Sequence, residues 1–114
     1  MALPELVRMS VEKKLSAYCL KRAPVHVFDR FKVGFRFRGN NVTLFESRPY
    51  FDDPNQWTEN VVAQFRFDLG TAFWTLYYPD RNSRWLCYND FAPSRKIEKL
   101  LQEVDNDPTG IFWG

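Results

Sequence analysis

Val61-Val62-Ala63-Gln64-Phe65-Arg66-Phe67, Trp74-Thr75-Leu76-Tyr77-Tyr78 and Trp85-Leu86-Cys87-Tyr88 are three short runs parted by Leu69-Gly70-Thr71 and by Pro79-Asp80-Arg81-Asn82. Strand residues two apart share a face, and the separating residues are turn formers, so the stretch predicts a β-meander. Val61, Ala63, Phe65 and Phe67 are expected on one face of its first strand. Trp74, Leu76 and Tyr78 are expected on one face of the second, and Trp85 and Cys87 on one face of the third. This aromatic set is the expected core.

Before this stretch, Phe31, Val33, Phe35 and Phe37 alternate with Lys32, Arg36 and Arg38 in a further strand-like run. Gly39-Asn40-Asn41 tolerates positive φ and predicts a hairpin there. A two- or four-residue turn brings Val42, Leu44, Glu46 and Arg48 to the apolar face; a three-residue turn brings Thr43, Phe45 and Ser47 instead. The apolar character of Val42 and Leu44 favours the first register. Pro49–Asn60 then reads as a long polar connection carrying Tyr50, Phe51 and Trp57, which serves as a lid or caps the open end of the core.

Helical spacing governs both flanks. Leu3, Leu6, Val7, Val11, Leu15 and Tyr18 predict an amphipathic helix from about Pro4 to Arg22, ended by Pro24 and the β-branched Val25 and Val27. Ile97, Leu100, Leu101 and Val104 predict a second helix with Ser94 as its N-cap. Ile111-Phe112-Trp113 predicts a docked final segment. The expected architecture is α+β: a five-stranded antiparallel sheet, hairpin plus meander, with both helices on one face, or else a more curved sheet wrapped around the first helix.

The 114 residues give room for one domain, residues 1–114, and 45% hydrophobic with 26% charged residues is a globular balance. No apolar run approaches the roughly 20 residues of a membrane helix, no secretory signal is read, and Cys19 and Cys87 read as buried thiols. Cytoplasm is the expected compartment, with no membrane partner. Residues 1–48 hold ten Lys/Arg against four Asp/Glu, and residues 49–114 hold six against ten. The two halves can neutralise each other on packing, or the basic half can face an anionic partner.

The chemistry is less legible than the fold. Glu46 and Arg48 share a strand face, and charges on an apolar face need partners, so they form either a structural ion pair or, with Trp57, a ligand site. The face opposite the core would present Arg36, Arg38, Arg66, Tyr77 and Arg84, along with Arg30, Lys32, Gln64, Thr75 and Tyr88. Guanidinium groups and rings mixed in this way suit single-stranded nucleic acid, although a solvated sheet face has the same look. Glu46-Ser47-Arg48 after a helix also resembles the layout of metal-dependent nucleases, but those use lysine and a second acid on the neighbouring strand, which is missing here. Asp105, Asp107, Thr109 and Gly110 imitate half a calcium loop, interrupted by Pro108. His26 stands alone, and no phosphate loop, zinc motif or nucleophile elbow is present, so no catalytic residue, metal or cofactor is assigned.

The stretches Gly39–Pro49, Ala63–Phe67, Trp74–Tyr78 and Asp107–Gly114 resemble, in order, a small bacterial family catalogued as domain of unknown function 3024. The likeness spans most of the chain. It implies a bacterial cytoplasmic protein and no particular activity, substrate or cofactor. The function expected from the sequence is a non-enzymatic binding or protein-interaction module, its partner another protein or a second copy of the chain; single-stranded nucleic-acid binding is the alternative, and a metal-dependent nuclease the remote one.

Overall fold

The computed structural model describes residues 3–114. Helix α1 (Glu5–Arg22) leads through a 3-10 turn (Val25–Val27) into strands β1 (Lys32–Arg38), β2 (Asn41–Pro49), β3 (Trp57–Phe67), β4 (Trp74–Pro79) and β5 (Trp85–Cys87), then helix α2 (Ile97–Asn106). The strands form one antiparallel sheet in the order β1-β2-β3-β4-β5, a continuous meander with β1 and β5 at its edges. Val11, Leu15, Ile97, Leu100, Leu101 and Val104 of the helices bury against Val42, Leu44, Ala63, Phe65, Phe67, Trp74 and Leu76. The face carrying these strand residues is the inner face, and both helices lie on it.

Arg38 pairs with Asn41, so Gly39-Asn40 is a two-residue turn with Gly39 at φ 60°, the positive φ that glycine adopts without penalty. This is the register that buries Val42 and Leu44, both 0% exposed, and it sets Glu46 opposite Val33. The final segment is docked. Asp107, at φ 43°, ends α2 and its carboxylate accepts from the backbone N–H groups of Phe112 (3.0 Å) and Trp113 (2.8 Å).

Several expectations change. Leu44 pairs with Ala63 but Phe45 pairs with Val61, which leaves Val62 as the extra residue of a β-bulge. Val62 is buried while Val61 faces outward beside Phe45, so Val61 does not share a face with Phe65 and Phe67. The connection expected over Pro49–Asn60 shrinks to Tyr50–Gln56, because β2 runs on to Pro49 and β3 starts at Trp57. In β5, Pro79 pairs with Trp85 and Tyr77 with Cys87, which turns Trp85 and Cys87 outward; Tyr88, expected outside, is buried. Four apolar residues in a row give no parity, and the five-residue turn sets it. Cys87 is therefore an exposed free thiol, whereas Cys19 is buried. Leu6, at 81% exposure, lies off the buried stripe of α1. Ser94 is not the α2 N-cap: it bridges to Trp74 through two backbone hydrogen bonds, and α2 starts after Lys96.

Trp74 closes the core, 2% exposed, with its ring 4.8 Å from that of Phe67. Trp74→Ala should cost about 3–5 kcal/mol, a large share of the roughly 5–15 kcal/mol that holds a domain folded. Urea unfolding measures this directly, and an unchanged midpoint would contradict the packing described.

Candidate functional site

The outer face is built by the strand alternation and by the bulge together. On β1 it takes Lys32, Arg36 and Arg38; on β2, Thr43 and Phe45; on β3, Trp57, Glu59, Val61, Gln64 and Arg66; on β4 and β5, Tyr77, Trp85 and Cys87. Without the extra residue Val62, Trp57 and Val61 would have turned toward the helices. Instead they join Phe45, Tyr77 and Trp85 on one surface.

The rings on this surface lie beneath cations of the same chain. Arg36 sits 4.5 Å above the Phe45 ring, Arg66 3.9 Å above Tyr77, and Lys32 4.7 Å above Trp57. Gly34 makes the first of these contacts feasible, since a Cβ there would meet the Phe45 ring at 2.8 Å. Arg36 also donates to Glu59, and Arg66 donates through Nε to Gln64 Oε1 at 2.7 Å. Gln64 in turn donates to Thr43 Oγ1 at 3.1 Å. Thr43 and Gln64 are buried at 9% and 8% exposure on a face that no helix covers; the overlying side chains exclude the water. The result is a fixed polar floor under two guanidinium groups held against rings.

Arg38 is exposed on the same face. Arg84 is not part of it: it lies in the β4–β5 turn, paired with Asp80 at 3.2 Å. The backbone N–H groups of Arg84 and Asn82, with the Arg84 charge, hold the Asp80 carboxyl below its ordinary range. Of the nucleic-acid candidates, Arg36, Arg38, Arg66 and Tyr77 share one surface and Arg84 lies outside it.

The other candidate set divides. Glu46 and Arg48 face inward near the end of the hairpin, where Arg48 rests 4.5 Å over the Phe31 ring and 3.9 Å from Glu46. Trp57 belongs to the opposite face. Around Glu46 and Arg48 an open cleft of 490 Å³ is completed by Lys21, Arg22, Asp105 and Trp113. Asp105 organises it, accepting from Tyr18 Oη (3.3 Å) and Arg22 (3.2 Å) with Lys21 at 3.6 Å, while Arg22 covers the Trp113 ring at 4.1 Å. The buried Trp113 indole N–H lacks an acceptor at hydrogen-bonding geometry. These contacts join the final segment to α1 and α2, a structural task. Among the described residues no three His, Cys, Asp or Glu side chains gather in a way that could hold a metal ion, and no helix is long and apolar enough to cross a membrane.

Sequence reasoning missed Trp57, Phe45 and Trp85 as members of the outer face. Phe45 was legible from the favoured hairpin register, while Trp57 and Trp85 depend on the bulge and on the turn length. A family model described as domain of unknown function (DUF3024) matches residues 3–114. Searches of curated proteins and of solved structures gave no match.

Two measurements test this geometry. Arg48 is 57% exposed, so a Glu46→Ala, Arg48→Ala double-mutant cycle should give a coupling of about 0–1 kcal/mol, as for solvated pairs; a coupling well above that range would place the pair in a drier setting. Burial and then the nearby Asp105 raise the ionisation of the Tyr18 phenol well above its ordinary value, and burial with the bond to Glu103 pushes Tyr88 up to about 12. The unfolded phenols ionise near pH 10, so this stability is fully present below about pH 10 and is lost as pH rises toward the folded values. Urea unfolding across that range should show the loss, smaller in Tyr88→Phe, and phenolate absorbance should show two tyrosines titrating late.

Proposed function

This chain belongs to the DUF3024 family, and we propose that it is a non-enzymatic binding module, acting in the bacterial cytoplasm through the outer face of its sheet. One observation carries the reading: a bulge turns Trp57 and Val61 to join Phe45, Tyr77 and Trp85 on a face that neither helix covers. Half-buried and exposed aromatic and basic residues grouped in this way are the usual makings of a contact surface, since rings supply area at low entropy cost and guanidinium groups supply directional donors. Its rings and cations are spread over five strands, unlike the concave, mostly apolar cleft that a small molecule takes. Two free thiols, Cys19 and Cys87, suit a reducing compartment.

The capping cations do not oppose this role. An exposed cation–π contact is worth about 0.5–1 kcal/mol, so a partner that stacks on the ring or pairs with the cation can replace or extend it. The Glu46–Arg48 cleft is the weaker candidate, because its acid Asp105 is already occupied by three groups of the chain itself.

Site-specific photocrosslinking in the producing cell tests the surface. A photoreactive phenylalanine analogue at Tyr77 should yield a discrete macromolecular adduct, and the same analogue at Met9, exposed on the helix side, should not. Equal labelling from both positions, or none from Tyr77, would refute the reading.

A further inference from the structure

We propose that the partner on the outer face is single-stranded nucleic acid; this rests on the surface reading above and adds the identity of the partner. Its strands carry Lys32, Arg36, Arg38 and Arg66 against the acid Glu59, which Arg36 already engages, while Asp80 at its end is paired with Arg84. The surplus of positive charge complements a phosphate backbone.

Charge alone would fit any polyanion, and the arrangement of the groups narrows the choice. Arg36 and Arg66 lie over rings with their hydrogen bonds made to Glu59 and Gln64. A guanidinium held against a ring in this way offers its far side as a second flat plate, and unstacked bases pack on both guanidinium planes and aromatic rings. Trp57, 39% exposed, adds a ring near the end of the same surface. A duplex hides its base faces within its own stack, and its major groove admits a helix or a two-stranded ribbon rather than the face of a five-stranded sheet. An extended peptide would add to a free edge strand, where backbone groups await partners, and would leave the plates unused. The single strand is the polyanion that uses both the charges and the plates.

The test is fluorescence anisotropy with labelled oligo-dT and oligo-U of roughly 12 nucleotides, within the usual site sizes, at about 50 mM salt, where the attraction to phosphates is strong. Both strands should bind, and a duplex of the same length should bind at least about tenfold more weakly. The pair Arg36→Ala and Arg66→Ala should weaken binding about tenfold or more and lower the salt slope by roughly 0.7 for each phosphate no longer neutralised. The pair Arg36→Lys and Arg66→Lys should keep the salt slope yet weaken binding, which separates plates from charge. Arg84→Ala, outside the face, should bind as the parent does, with melting temperatures checked for every variant. The proposal falls if neither strand binds at about 100 µM protein, the weak end of non-specific affinity, if the duplex binds equally, or if Arg84→Ala weakens binding as much as the Arg36 and Arg66 pair. A protein adduct at Tyr77 together with no binding of either strand would sink the nucleic-acid partner and leave the surface reading standing.

Discussion

One extra residue in β3 decides what each side of this protein can do. Strand side chains alternate with a period of two, so inserting Val62 between the Leu44–Ala63 and Phe45–Val61 pairs reverses the facing of everything before it. On the far side of the bulge, Ala63, Phe65 and Phe67 meet the helices and build the core. On the near side, Trp57 and Val61 leave it. The same step turns Asn60 and Thr58 inward opposite Glu46 and Arg48, where the hairpin is polar on its inner face as well. The sheet thus changes from a half-buried layer to a solvated arm along its own length.

A chain with 18% aromatic residues leaves several rings outside its core, and it covers many of them with its own cations. Arg8 lies over Phe37, Arg95 over Phe73 and Arg48 over Phe31, in the same manner as the three cation–ring pairs of the outer face. Long basic side chains shield apolar area with their stems and keep their charge in water. One arrangement thus links much of the basic half of the chain to the aromatic strands: several of its cations stand over rings, and only some of these also meet an acid.

How much of this was legible depends on where period and parity suffice. The helices over Glu5–Arg22 and Ile97–Asn106, the Gly39-Asn40 turn and the burial of Val42 and Leu44 follow from spacing and turn chemistry. What was not legible turns on single residues of register. Val61-Val62 and Trp85-Leu86-Cys87-Tyr88 are apolar at successive positions, so alternation cannot choose a face for them, and the choice is made by the bulge and by the Asp80 turn. Glu46 and Arg48 were legible as neighbours on the inner face. Their mild setting was not, because the reach of the helices along the hairpin is a tertiary fact. The bonds that Asp105 accepts from Tyr18 and Arg22 join residues more than eighty positions apart, beyond any local pattern.

Strand β1 lies at the edge of the sheet, with no strand paired to one side of its backbone. An edge of this length, Lys32–Arg38, is a template on which a second copy could add a strand and begin an aggregate, and nature commonly blunts such edges with charge. Lys32, Arg36 and Arg38 share one face of it, with Gly34 at the remaining position of that face. Two chains approaching edge to edge would bring these rows together and repel. The basic residues proposed to meet a polyanion on the outer face therefore also work against the pairing of two β1 edges, so a change that lowered the charge of that face would remove this repulsion as well.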